Sequence, residues 1–190
     1  MKKGKTNNRF KKIVTISIIL IIILLVSGLL KNVIYKFLYP IKYSEYVYKY
    51  SEEYSVDADL VFAIIKAESN FNPDAKSSQN AIGLMQMLNP TAEEVANKLR
   101  MSYNEEKTLL NPEDNIRMGV KYFSELYDLY GSIELAICAY NAGIGNVNSW
   151  IDKGLVKSDG SDIENVPFSE TNIYVRKVLR NYRIYKQLYD

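Results

Sequence analysis

Histidine is absent from the chain, and cysteine occurs once, at Cys138. Ser-His-Asp and Cys-His catalysis, zinc sites built on His or paired Cys, and disulfide frameworks are therefore all excluded. Acid-base chemistry near neutral pH must fall to Asp, Glu, Lys or Tyr. Glycine (9) and proline (5) are too scarce for a collagenous or low-complexity chain. Acidic residues are missing from the first 30 positions, which carry six basic ones: Lys2, Lys3, Lys5, Arg9, Lys11 and Lys12. The chain as a whole is +2, so the rest holds 18 basic against 22 acidic groups, a net −4. A mildly acidic domain without a basic cluster is a poor partner for nucleic acid, whose phosphates supply most of the affinity. With 47% apolar and 24% charged residues in 190, the composition suits one folded domain plus an appendage.

The appendage comes first. Residues 13–30 read IVTISIILIIILLVSGLL, without charge and with Thr15, Ser17 and Ser27 as the polar side chains. Such a run spans roughly 27 Å as a helix, close to the ~30 Å hydrocarbon core of a bilayer. A buried core helix is a competing reading, although such helices are usually shorter or amphipathic. A cleaved signal peptide is the stronger rival, but no A-x-A-like site follows and no cysteine is placed to take a lipid. The expectation is an uncleaved transmembrane anchor over 13–34, with a basic cytoplasmic segment at 1–12 and the rest of the chain outside by the positive-inside rule. Tyr35, Phe37 and Tyr39 suit a membrane interface, so 35–42 reads as a stalk and 43–190 as the outer domain.

That domain carries helix punctuation. Asp57 is placed to cap a helix through Ser69; Asn89-Pro90 and Asn111-Pro112 predict helix starts near 90 and 112. Ile116, Val120, Phe123, Leu126, Tyr127 and Tyr130 follow helical spacing and Gly131 is placed to stop them. Ser132 predicts a helix through Ala142, closed by Gly143, and a last helix starts at Ser169. No convincing alternating strand run is present, so the fold class is mainly α.

Leu60, Val61, Ile64, Ile65 and Glu68 fall on one stripe of the helix from Asp57. A glutamate there is desolvated, which favours its neutral form and makes it a proton donor at neutral pH. A solvated rim position is the plainer reading of that residue taken alone. Four blocks surround it: ESNFNPDAKSS at 68–78, GLMQMLNPTA at 83–92, AYNAG at 139–143 and ETNIYVRKVLRNY at 170–182. In this order and spacing they resemble the soluble lytic transglycosylase family with its goose-type lysozyme-like domain, over about 43–190. The resemblance implies that Glu68 is the catalytic glutamate, with Ser69 completing a Glu-Ser pair. It implies that Ser77 bonds the substrate's N-acetyl group, that Gly83, Leu84, Met85 and Gln86 shape the cleft, and that Tyr140 stands near the catalytic carboxyl, with Met85, Gln86, Tyr140 and Asn141 binding substrate. Glu170 matches a second glutamate that binds substrate or supports structure. One departure stands out: the family's Gln-x-Met-Pro is here Gln86-Met87-Leu88-Asn89-Pro90.

Plainer readings stand beside these. Gln86 suits a turn that satisfies backbone groups, Asn141 with Gly143 suits a helix stop, Glu170 suits a helix start, and Cys138 suits a small buried hydrophobe. Ordinary glycosidases use two carboxylates. The matched motifs supply one, and the family's solution, implied here, is that Glu68 protonates the oxygen between N-acetylmuramic acid and N-acetylglucosamine. It then deprotonates the C6 hydroxyl, giving a 1,6-anhydro end in peptidoglycan with no metal or organic cofactor. A muramidase that transfers the sugar to water, and a non-catalytic wall-binding or assembly protein, are the alternatives.

Overall fold

The computed structural model describes residues 4–189; the side chains of residues 4–10, 21, 25, 27 and 29 lie outside the described set. The chain divides into two compact units, Met1–Pro40 and Ile41–Asp190. The first is one helix, α1 (Gly4–Leu38), which stops just before Pro40. Its described large apolar side chains, Ile13 through Leu30, are exposed. Among the described residues no helix is long and apolar enough to cross a membrane. The expected span over 13–34 therefore finds no support among the described residues; a bilayer core demands a run of about 20 apolar residues.

The second unit holds eight helices among the described residues: α2 (Ser44–Glu53), α3 (Ala58–Glu68), α4 (Asn89–Lys98), α5 (Glu105–Leu110), α6 (Pro112–Tyr130), α7 (Ile133–Ala142), α8 (Ile144–Asp152) and α9 (Ser169–Tyr189), with a short 3-10 turn at Ile163–Asn165. No strand forms among the described residues; two isolated bridges, Lys76 to Ile82 and Ile82 to Met87, pleat the segment between α3 and α4. The caps explain most boundaries. Asp57 accepts from the Asp59 amide at 2.9 Å, Asn111 from the Asp114 amide at 3.0 Å, and Ser132 from the Leu135 amide at 3.3 Å. Each satisfies one of the otherwise orphaned first-turn N–H groups. Gly131 ends α6 at φ +61°, the left-handed conformation that glycine adopts without steric cost. Asn89 differs from expectation. It is the first helical residue of α4 rather than its cap, and its side chain accepts from the Tyr103 hydroxyl at 2.7 Å.

The expected stripe on α3 proves too narrow a description, since every residue from Asp59 to Ile65 is buried. This helix is the axis of the core. Helix α9 lies antiparallel along it and is fastened at both ends. At the start of α3, Asp57 accepts from the Tyr182 hydroxyl at 2.7 Å and pairs with Lys186 at 3.1 Å. At its end, Lys177 donates to the Ala67 carbonyl at 2.6 Å. Between them Tyr185 stacks on Phe62 at 5.6 Å, and Val175 and Val178 are buried. A second apolar cluster, with Ile82, Met87, Ala92, Val95, Leu109 and Met118, supports the pleated segment from below α4 and α6.

Candidate active site

Buried apolar residues run along α3 up to its last turn, where the chain places Glu68 at the mouth of a cleft of about 860 Å³. Burial pushes the Glu68 carboxyl up to about 7, and the Tyr174 hydroxyl and the Lys177 charge pull the other way without prevailing. Its position at a helix carboxyl terminus adds to the bias toward the neutral form, because the helix dipole repels an anion there. Tyr174, on α9, donates to Glu68 Oε1 at 2.5 Å. Burial and the neighbouring Glu68 hold the Tyr174 hydroxyl well above its usual range, so this donor keeps its proton throughout. One carboxyl oxygen is thus fixed and Oε2 is left to carry the exchangeable proton. Among the described residues, no second carboxylate contributes to the state of Glu68.

The wall beside Glu68 is the segment 75–88, which turns through positive φ at Asn80, Gly83 and Gln86. Gly83 sits at φ +84°, and a Cβ there would lie 2.3 Å from both Asn115 Nδ2 and the Leu109 carbonyl. Asn115, fully buried on α6, bonds this segment twice and α5 once: it accepts from the Met85 amide at 2.8 Å and donates to the Ile82 carbonyl and to the Leu109 carbonyl of α5 at 3.0 Å each. Gly119, one turn further along α6, leaves room for the Met85 side chain, whose Sδ would stand 2.4 Å from an added Cβ. Ser69 ties the segment to α3 by donating to the Leu84 carbonyl at 2.8 Å.

Of the residues singled out in the sequence, Glu68, Ser77, Gln86, Tyr140, Asn141 and Glu170 all line the one cleft. Met85 does not; its side chain is fully buried against Gly119, and what it offers the site is a carbonyl that accepts from the Tyr140 hydroxyl at 2.8 Å. Ser77 Oγ accepts from the amides of Gln79 and Ala81 at 3.2 and 3.1 Å, which leaves its own proton to the cleft. Gln86, at φ +49°, spends its amide N–H groups on the Ala75 and Gly83 carbonyls at 3.1 and 2.8 Å. Its Oε1 remains for the cleft. Glu170 stands exposed in the first turn of α9 and on the rim. Tyr174, Asn115 and Lys177 were not singled out. Tyr174 lies within the 170–182 block, four residues after Glu170, which is the one signal that pointed to it.

Residues 45–160 match the family model described as the transglycosylase SLT domain. The chain belongs to that family. The SLT chain is 33% identical over 144 residues to the soluble lytic murein transglycosylase of Escherichia coli K12, covering 74% of this chain and 22% of that one. It is 38% identical over 116 residues to the membrane-bound lytic murein transglycosylase C of Serratia proteamaculans, covering 56% and 32%. Among solved structures, an inactive glutamate-to-glutamine mutant of lytic transglycosylase Slt from Pseudomonas aeruginosa superposes with a TM-score of 0.70 at 32% identity, over 78% of this chain and 24% of that one. A complex of the 70-kDa soluble lytic transglycosylase with bulgecin A superposes with a TM-score of 0.74 at 31% identity, over 80% and 25%. The mainly helical, lysozyme-like fold expected from the sequence is borne out. The SLT chain spans less than a third of each of these relatives.

Tyr174→Phe removes the donor that favours ionised Glu68. The alkaline limb of kcat/KM should move to higher pH, and kcat should fall roughly 10-fold as the carboxylate loses a charge-assisted bond. An unmoved limb in a pH-rate profile would detach Tyr174 from the site.

Proposed function

We propose that the SLT chain is a lytic transglycosylase that cleaves the β-1,4 bond between N-acetylmuramic acid and N-acetylglucosamine in peptidoglycan and leaves a 1,6-anhydromuramoyl end. The observation that carries this reading is a buried carboxyl, Glu68, poised near neutrality in a sugar-sized cleft whose other carboxyl, Glu170, stands exposed on the rim. A group that must first give and then take a proton works best with a pKa near ambient pH. Protonated Glu68 donates to the bridging oxygen as the bond to C1 breaks. The substrate's N-acetyl oxygen stabilises the cation, with the Ser77 hydroxyl placed to orient that group. Carboxylate Glu68 then removes the proton from the C6 hydroxyl, whose oxygen closes on C1. Protons balance over the cycle and no water enters the product. Gln86 Oε1, the amide of Asn141 and Glu170 supply polar contacts along the strand, and Tyr140 forms a wall of the cleft. The names of the relatives and the inactivity of the glutamate-to-glutamine mutant of one of them support this reading.

Mass spectrometry of the muropeptides released by the chain tests it directly. Anhydromuropeptides are expected. Products heavier by one water would identify a muramidase instead, and no release would leave a wall-binding protein.

Glu170 is assigned to substrate binding in this scheme. Glu170→Gln should then lower activity at least ~10-fold while costing only about 0.3 to 1 kcal/mol of stability, the value of a helix-start charge. Unchanged turnover in the folded variant would remove it from the site.

A single-pass anchor over 13–34, with the amino terminus inside and the SLT domain outside, completes the reading. It rests on the uncharged run at 13–30 and the six basic residues before it. A reporter that works only outside the cytoplasm should be active when fused after Asp190, with the protein retained on membranes at high salt. A shortened soluble product would identify a signal peptide.

A further inference from the structure

The cleft has a wall that lies beyond the residues matched by the family model, formed where the chain enters α9: Pro167 and Phe168 line it ahead of Glu170. The Phe168 side chain is 48% exposed. A single exposed apolar side chain is ordinary on a protein surface, but this one lines the cleft itself, where a bound ligand would cover it.

Its setting is rigid. The Phe168 ring meets Trp150 edge to face, with centroids 4.9 Å apart, and Trp150 on α8 is itself buried. Behind it the preceding segment is tied down. Val166 is buried, Asn172 donates through Nδ2 to the Glu164 carbonyl at 2.7 Å, and the Asn172 amide donates to the Phe168 carbonyl at 2.9 Å. The ring is thus held on one side by a buried aromatic partner and left open on the other. A rigid, half-covered aromatic ring loses little conformational freedom on binding, which is the condition for an effective contact.

We propose that Phe168, buttressed by Trp150, is a stacking platform that takes the apolar face of one pyranose ring of the glycan strand and so positions the strand for Glu68. The proposal rests on the glycan-cleaving reading above. The C–H bonds on one face of a pyranose present positively polarised hydrogens, and the negative face of the phenyl ring attracts them. The neighbouring polar groups, Glu170 and Asn141, then meet the hydroxyl and amide groups at the ring's edge. Phe168 acts through the position of the sugar and transfers no proton, which makes it a binding and positioning residue.

The chain contains a single tryptophan, Trp150, in contact with the platform, so binding carries its own optical report. The test uses the full chain with Glu68→Gln, titrated with glycan strands freed of their peptide stems, and reads Trp150 fluorescence and heat. Saturable binding with a change in emission is expected. Adding Phe168→Ala should weaken binding roughly 5- to 30-fold, the effect of losing one aromatic contact, and remove the optical change. Phe168→Leu, which keeps apolar bulk but has no π face, should bind nearly as weakly, while Phe168→Tyr should restore affinity to within about 2-fold. In the otherwise native enzyme, Phe168→Leu should raise KM more than it lowers kcat. Equal glycan affinity in the Phe168→Leu and Phe168 chains, both folded by thermal melting, overturns the platform and leaves the glycan-cleaving reading standing. A folded Glu68→Gln chain that binds no glycan overturns both.

Discussion

Glu68→Gln should abolish glycan cleavage while leaving the domain folded and, above neutral pH, more stable than the parent. The amide keeps the shape of the side chain and can still accept from the Tyr174 hydroxyl, but it neither gives nor takes a proton. General acid-base catalysis by one group is worth ~10²- to 10⁴-fold, and a residue used in both halves of the reaction should sit at or above the upper end. The stability change has a definite pH dependence. Below about pH 4 the carboxyl is protonated in folded and unfolded chains alike, so it makes no difference. As pH rises from the unfolded value near 4.5 to about 7, the unfolded chain ionises first and stability falls. Above 7 the folded domain carries the full cost of a buried carboxylate, up to ~3 kcal/mol. The variant should therefore melt higher than the parent at pH 8 and equally at pH 4. For the parent, kcat/KM should fall as pH rises through about 7, because the free enzyme must hold the proton. Anhydromuropeptide release at near the parental rate by folded Glu68→Gln would end the site assignment. Glu68→Asp is also expected to be poor, since a displacement of about 1 Å is enough for ~100-fold.

Asn115→Ala should be the most destabilising single substitution around the cleft. It strips partners from the Met85 amide and the Ile82 and Leu109 carbonyls, all held by one fully buried side chain. The Met85 amide and the Leu109 carbonyl lose this partner at about 1–3 kcal/mol each, while the Ile82 carbonyl keeps the Met87 amide at 3.1 Å, and the total is expected on the order of 3–5 kcal/mol. For a domain of this size that lowers Tm by roughly 10 °C or more. Asn115→Asp keeps the acceptor for Met85 but sets a carboxylate against two carbonyl oxygens, so it should do no better. Activity should fall before the domain melts. The same segment carries Gln86 into the cleft and offers the Met85 carbonyl to Tyr140. A melting temperature within about 2 °C of the parent would show that the pleated segment does not depend on this side chain.

Local signals in the sequence were enough for α3, α6 and α7, because their boundaries are made by residues within one turn: Asp57, Asn111, Ser132, Gly131 and Gly143. Helices α2 and α8 have no side-chain cap and were not anticipated; α5 was missed although Asn104 caps it through the Lys107 amide at 3.1 Å. The Asn89-Pro90 pair shows how a local rule yields to a tertiary one. Tyr103 claims the asparagine side chain, so it is unavailable to cap α4. Glu68 was legible as the end of an apolar helix and as the head of a four-block pattern, and Ser77, Gln86, Tyr140, Asn141 and Glu170 were legible from that pattern. Met85 was legible as part of the site, but not that its side chain turns inward.

By itself, then, the sequence determined the helical class, the main helix boundaries, the absence of histidine and paired-cysteine chemistry, and which carboxyl stands out. Those properties depend on residue type and on neighbours three or four positions away. Only the tertiary structure decided that Tyr174 grips Glu68 from 106 residues along the chain, that Asn115 holds the wall of the cleft from α6, and that Phe168 is braced by Trp150 at its rim. Such contacts arise when α9 folds back along α3 and α6 closes under the pleated segment. Burial then raises the Glu68 carboxyl to about 7, because desolvation is a property of the packed surroundings and not of the residue.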